Sequence, residues 1–249
     1  MQQNKNNQLD VIYLDNHLLI INKAAGVLIQ EDRTGDIDLL SLARRYIKDK
    51  FNKPGNVYLG LVHRLDRPVS GVVCFARTSK AASRLSAQFR QNRVKKRYVA
   101  IVEGHCEKSG TLRHYLLKEA SRVRIVRPQH AKAKKAELNY RSLHNKKNTS
   151  LLDIDLLTGR PHQIRVQLAE TGHPILGDLR YGARHVFDGK NLALHCFSLG
   201  FEHPVKKNWI QTVVQPPAVW QEYYKKEIDR IIDETGGEFE NNRNRDENS

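Results

Sequence analysis

The segment His63-Arg64-Leu65-Asp66-Arg67-Pro68-Val69-Ser70-Gly71 sets one carboxylate between two guanidinium-bearing residues, in a loop expected at the end of a strand. Loops on rigid scaffolds are where chemistry concentrates. On these residues alone a plainer reading stays open, in which Asp66 caps a turn and Arg64 and Arg67 are solvated charges. His63, His162 and His173 raise the question of metal ligation with Asp66 or Asp178. No pair has the i, i+4 spacing of a zinc helix and no cysteine accompanies them, so no metal is expected. Gly26 and Gly159 are lone glycines rather than a phosphate-cradling loop, and neither a nucleotide nor any other cofactor is expected. Cys74, Cys106 and Cys196 are odd in number and never paired as CxxC, which reads as reduced, structural thiols in the cytoplasm.

The elements that must position these residues follow from periodicity. Strands are expected at Val11–Leu14 and Leu18–Asn22, joined by a tight turn at Asp15-Asn16. Leu39, Leu40, Ala43, Ile47 and Phe51 recur at helical spacing within a helix over Ile37–Phe51. Val57–Val62 and Val72–Ala76 read as extended, with the Asp66 loop between them. Ser79 is the expected N-cap of a helix running to about Gln91. Short strands are expected at Tyr98–Val102, Leu112–Leu117, Val123–Val126, Ala136–Ser142 and Leu151–Leu156. A helix then starts at Pro161 and stops before Gly172. Strands near Leu192–Phe201 and Trp209–Val214 precede a last helix over Ala218–Thr235, which Gly236-Gly237 should end. These elements predict a single α+β domain over residues 10–235, with a mixed, largely antiparallel central sheet flanked by helices and loops. Residues 1–9 and the acidic tail 236–249 are expected to be disordered.

A formal charge of +15 in 249 residues favours a polyanionic partner. The charge is clustered, with eight basic residues and no acidic one from Arg77 to Arg97, and ten basic against two acidic from Lys118 to Lys147. Nucleic acid therefore stands ahead of an anionic membrane. No stretch has the eighteen or so apolar residues of a membrane span, and Met1–Gln8 lacks the apolar region of a signal peptide, so a cytoplasmic protein is expected.

The Asp66 segment resembles the HRLDxxxSG motif of RluA-family RNA pseudouridine synthases at every fixed position. Leu18-Leu19-Ile20-Ile21-Asn22-Lys23-Ala24-Ala25-Gly26 is similar to that family's opening block, and Lys96-Arg97-Tyr98-Val99-Ala100 to its KxYxA block. Thr158–Arg165 resembles TGRxHQIR and Gly172–Asp178 resembles GHPIxGD. Leu194-His195 with Phe201-Glu202-His203-Pro204 resembles the last block. Six blocks in family order cover residues 18–204. Two departures stand out: Ala24 where the family usually has proline, and Pro68-Val69 where Asp-Thr is common. Many relatives carry an N-terminal S4 domain, whereas only about ten residues precede the first strand here, so RNA selection is expected from the catalytic domain itself.

The resemblance implies the pseudouridine synthase catalytic fold, with Asp66 as catalytic carboxylate, Arg165 as its cationic partner and Tyr98 packed against a uracil flipped from its stack. A carboxylate can attack as a nucleophile, or assist departure of the base by electrostatics and proton abstraction. For either role it must be ionised, which a nearby cation favours. Arg64 corresponds to the family residue that intrudes where the base was. His63, Arg67, His162 and Gln163 are expected beside the substrate, and Arg77, Lys80, Lys95 and Lys96 on RNA phosphates. The expected partner is structured ribosomal or transfer RNA, bound by a monomer. A non-catalytic RNA-binding or assembly protein that kept the fold is the alternative. A glycosidic hydrolase is less favoured, since it would want a second carboxylate beside the first.

Overall fold

In the computed structural model, which describes residues 9–120 and 122–246, the chain opens on the expected hairpin of β1 (Asp10–Leu14) and β2 (Leu18–Lys23). Its turn is closed by Asp15, whose Oδ1 accepts from the amides of His17 and Leu18 at 2.8 Å each. The disordered segment expected at residues 1–9 falls almost entirely outside the described residues, as does the end of the expected tail.

Helix α1 (Leu39–Lys50) is capped by Asp38, which accepts from the Ser41 amide at 3.0 Å. Strand β3 is only Gly60–Leu61, much less than the extended run expected over Val57–Val62. Then come β4 (Ser70–Ala76), buried throughout, and α2 (Ser79–Arg90). The cap of α2 is Thr78 rather than Ser79: the Thr78 hydroxyl accepts from the Ala81 amide at 3.2 Å, the bond an N-cap residue makes with the third residue on. Five antiparallel strands follow: β5 (Lys95–Glu103), β6 (Ser109–Glu119), β7 (Arg122–Val126), β8 (Lys134–Lys146) and β9 (Thr149–Leu156). After α3 (Gln163–Glu170) come β10 (Leu194–Glu202), β11 (Trp209–Val213) and α4 (Gln221–Asp246).

The eleven strands form one open sheet in the order β1-β2-β4-β10-β5-β9-β8-β6-β7, with β3 beside β4 and β11 beside β10. Only β4 and β10 run parallel, so the sheet is mixed and largely antiparallel, as the sequence predicts. Near this junction both faces are covered. Leu18, Ile20, Val72 and Cys74 pack with Ala81 and Leu85 of α2, while Leu19, Ile21, Val73 and Phe75 pack with Ala43 and Ile47 of α1. Burial on both faces is why Leu18–Ile21 and Val72–Ala76 read as unbroken apolar runs rather than alternating ones. The parallel contact is close. Gly71 adopts φ +122°, and a β-carbon there would lie 2.2 Å from the Cys196 carbonyl oxygen, so the Ser-Gly of the Asp66 segment is a condition for docking β4 on β10.

Two helix boundaries differ from the sequence reading. α3 begins at Gln163 instead of Pro161 because His162 takes a left-handed conformation, φ 49°, that interrupts the turn. α4 continues through Gly236-Gly237 to Asp246; glycine costs a helix about 1 kcal/mol relative to alanine and does not forbid it. Among the described residues no helix is long and apolar enough to cross a membrane.

Candidate active site

Asp66 sits in the loop that feeds β4, between two buried anchors, Leu65 and Val69, and its carbonyl closes a turn by accepting from the Val69 amide at 3.0 Å. With the neighbouring side chains pinned in the core, the carboxylate is left 28% exposed. The same loop is held from below by Lys23 at the end of β2. Its ammonium, 1% exposed as a residue, donates to the carbonyls of Ala24 (2.9 Å), Val27 (2.9 Å) and Arg67 (3.1 Å). Burial pushes the Lys23 pKa down to about 7, against the attraction of Asp66.

Arg165, in the first turn of α3, joins two carboxylates. Its Nε and Nη2 donate to Asp178 Oδ2 and Oδ1 at 2.7 and 2.9 Å, and its Nη1 donates to Asp66 Oδ2 at 3.0 Å. The bidentate arm fixes the plane of the guanidinium, leaving Nη1 aimed at Asp66. The Arg165 side chain is 6% exposed and that of Asp178 1%. Burial alone would weaken the Arg165 charge, but the bonds and charge of Asp178, with Asp66 behind them, more than offset this and raise its pKa. The guanidinium also lies 5.0 Å from the centre of the Tyr181 ring.

His162 reaches the same carboxylate from the other side, with Nε2 3.7 Å from Asp66 Oδ2. Its Nδ1 lies 2.8 Å from the Tyr181 hydroxyl, which accepts from the Val123 amide at 3.1 Å. With the hydroxyl donating to Nδ1, the imidazole proton would sit on Nε2, facing Asp66. Burial, reinforced by Arg165 and Arg180 and opposed by Asp66, lowers the His162 pKa. Tyr98 comes in from β5, 7% exposed and in register with Cys196 of β10. Burial first, then the Cys196 thiol and the charge of Asp66, raise its pKa well above 10. It therefore stays a phenol, offering a ring face and a donor rather than a base.

Asp66, Tyr98 and the His162–Arg165 pair, from three separate stretches of the chain, thus converge. Arg64 is exposed at the rim, its Nη1 3.3 Å from Gln30 Oε1. Arg67 is also exposed, but is engaged with Asp36 (2.6 Å) and the Gly26 carbonyl (3.0 Å), which ties down the 26–36 loop. The six other expected substrate and phosphate contacts are placed as follows. His63 accepts from the Cys74 amide at 2.9 Å and stacks on Phe89, and burial pushes its pKa down to about 3, so it braces β4 against α2. Gln163 spends its amide on Thr158 (2.7 Å), the Arg160 amide (3.0 Å) and the Glu137 carbonyl (3.1 Å), fastening the Thr158–Pro161 loop to β8. Arg77 lies at the far end of β4, about 20 Å from the Asp66 loop at strand rise, where it donates to the Asp15 carbonyl and covers the Phe51 ring. Lys80 is exposed on α2 at that same far end. Lys95 is exposed over the Trp209 ring, and Lys96 is buried on the Tyr98 side of β5.

The residues that sequence reasoning left out of the site are Asp178, Tyr181 and Lys23. Asp178 and Lys23 stood inside family-like blocks and could have been taken from them. Tyr181 carried no signal beyond being an aromatic residue three positions after Asp178.

Residues 17–170 match the family model described as RNA pseudouridylate synthase. Ribosomal large subunit pseudouridine synthase D of Zymomonas mobilis is 33% identical over 229 residues, covering 87% of this chain and 72% of that protein. tRNA pseudouridine synthase C of Haemophilus ducreyi is 33% identical over 215 residues, 79% of this chain and 86% of that one. The chain spans 64% of ribosomal large subunit pseudouridine synthase C of Vibrio parahaemolyticus, at 35% identity. Among solved structures, human RNA pseudouridylate synthase domain containing 4 superposes with a TM-score of 0.73 at 22% identity, covering 87% of this chain and 92% of that one, a likeness of fold. With a family model matching well over half its length and relatives a third identical across most of it, this chain belongs to the RNA pseudouridylate synthase family.

Proposed function

We propose that the chain isomerises a uridine of structured ribosomal or transfer RNA to pseudouridine, with Asp66 as the catalytic carboxylate. The observation that carries this reading is the Asp178–Arg165–Asp66 chain, buried at its first two members: one guanidinium, oriented by a bidentate carboxylate, holds one oxygen of a second, partly exposed carboxylate at 3.0 Å. Arg165 and His162 both address Oδ2, and Oδ1 has no hydrogen-bond partner among the described residues. Oδ1 is then the oxygen free to act on the substrate.

The reaction breaks the bond from N1 to C1′, turns the base and joins C5 to C1′. The proton on C5 is lost while N1 gains one, so no oxidant, reductant or second substrate enters, and no cofactor or metal is needed for the balance. Asp66 acts either by attack or by proton abstraction. A base inside a stacked helix cannot meet it, so the uridine leaves the stack and lies against Tyr98, with Arg64 at the rim in the space vacated. The basic surface holds the RNA backbone. The enzyme works as a monomer in the cytoplasm, where its three free, buried cysteines stay reduced.

RNA transcribed with tritium at C5 of uridine tests this directly, because the C5–H bond must break. Wild-type protein should release tritium to water, and Asp66→Asn should bind the same RNA with unchanged Kd and release none. Release by Asp66→Asn at the wild-type rate would remove Asp66 from the chemistry. RNA binding without release by the wild-type protein would make the chain a binding module.

A further inference from the structure

Lys96 stands two residues before Tyr98 on β5, so the two-residue period of a strand sends both side chains to the face on which Tyr98 meets the charge of Asp66. Arg97 between them points to the opposite face, where it pairs with Asp153 at 2.8 Å. Asp155 shares that opposite face, two residues further along β9 and directly across from Arg97. Lys96 is 8% exposed, yet among the described residues its ammonium has neither a hydrogen-bond nor an ion-pair partner. The sealed side-chain polar atoms that lack a partner there are His17 Nδ1 and Gln167 Oε1 alone. Partnerless but not sealed, the Lys96 ammonium must open onto free space.

Asp66 lies on that face but does not act on this ammonium, and no other carboxylate on its own side of the sheet does. Cys196 is kept a thiol by burial, its pKa pushed up to about 12, and His63 is kept neutral. Arg160 adds a second positive charge, and the pull of Asp155 acts from the far face. Burial accordingly lowers the Lys96 pKa. In the Thr158–Pro161 loop, a β-carbon at Gly159 would come within 3.4 Å of Nζ and meet nothing else within 4 Å, so the missing side chain leaves that approach clear. A largely buried cation whose ammonium only solvent can reach costs stability in the free protein and invites an anionic acceptor from outside.

We propose that Lys96 is an anion subsite of the substrate cleft, taking a phosphate oxygen of the RNA nucleotide whose base lies against Tyr98, by way of the gap above Gly159. This rests on the reading of the Asp66 cleft as the uridine site. It separates Lys96 from Lys80, Lys95 and Arg77, whose charges are solvated or engaged elsewhere and carry no such commitment.

Unmodified transcripts of large-subunit ribosomal RNA and of transfer RNA are offered to the wild-type protein first, and the one it modifies is the probe. Two variants are then compared with wild type. Lys96→Met fills the same space without a charge to desolvate. Gly159→Ala keeps the ammonium but sets a methyl over it, at a residue whose φ is not in the left-handed region. Both should bind the probe about tenfold more weakly, with the slope of log affinity against log salt reduced by about 0.7 to 1, the signature of one lost phosphate contact. The thermal midpoint should be unchanged or raised in Lys96→Met. An unchanged salt slope in Lys96→Met would overturn the proposal, and so would a fall in its thermal midpoint that accounts for the weaker binding. A wild-type protein that modified neither transcript would instead defeat the reading of the cleft itself.

Discussion

At the scale of single residues, the site works by letting one buried carboxylate aim a guanidinium at another. Asp178 is 1% exposed and holds Arg165 through two short bonds, so Asp178→Asn leaves a buried cation with half its support. Breaking such a pair costs about 3 kcal/mol, to be read by urea denaturation. The loosened guanidinium should lower kcat about 100-fold, since misplacing a catalytic group by about an ångström has that effect. A kcat at the wild-type level would show that Arg165 needs no orienting partner. Tyr181→Phe is a milder probe of the same construction. It strips the Val123 amide and His162 Nδ1 of their shared hydroxyl, at a cost of about 1 to 2 kcal/mol. It also frees the imidazole to change tautomer, so the pH profile of kcat should shift, whereas a purely structural hydroxyl would lower stability and leave the profile alone.

At the scale of elements, the parallel seam between β4 and β10 decides where the Asp66 loop lies. Gly71→Ala puts a β-carbon 2.2 Å from the Cys196 carbonyl oxygen at φ +122°, and no side-chain motion relieves a clash between backbones. The loss should exceed about 3 kcal/mol, seen as a drop in urea midpoint or as insoluble protein. Gly159→Ala, at an unstrained loop position, is the matched control for fold. The elements themselves were legible because their patterns are local. The helical spacing of Leu39, Ala43 and Ile47 and the apolar run of β4 each give one answer. The site was legible only in part, for a physical reason. Asp66 and Arg165 are 99 positions apart, and periodicity says nothing about which strand end meets which helix turn; only the ordered, family-like blocks joined them. Charge is equally silent about direction. Arg77 and Lys96 look alike as basic residues in one cluster, yet one closes the turn at Asp15 and the other is buried beside Tyr98. His63 and Gln163 stand beside catalytic-looking neighbours and are spent on backbone bonds that hold the loops in place.

At the scale of the whole molecule, the central sheet is braced by histidines that must stay neutral. His195 is wholly buried, with Nδ1 2.8 Å from the Ser70 hydroxyl and Nε2 facing the Val214 carbonyl, and burial pushes its pKa down to about 3. Its folded pKa lies below the unfolded value of about 6.5, so below pH 6.5 the unfolded chain takes up a proton that the fold refuses. Stability is therefore complete above pH 6.5 and is lost as pH falls toward 3, with about 2 kcal/mol gone by pH 5 from His195 alone and His63 acting in the same direction. Urea titrations at pH 7 and pH 5 measure this, and His195→Asn should shrink the difference by about 2 kcal/mol, leaving the share of His63. The same molecule carries a formal +15, which favours a polyanionic partner such as RNA.

The central claim is that this one carboxylate makes pseudouridine in cellular RNA. Pseudouridines should be mapped across all RNA from cells lacking the gene and from the same cells carrying the wild-type or the Asp66→Asn form. A small set of ribosomal or transfer RNA positions should disappear with the gene, return with the wild-type form and stay absent with Asp66→Asn at equal protein level. Return of those positions with Asp66→Asn, or a map unchanged by loss of the gene, would contradict the account.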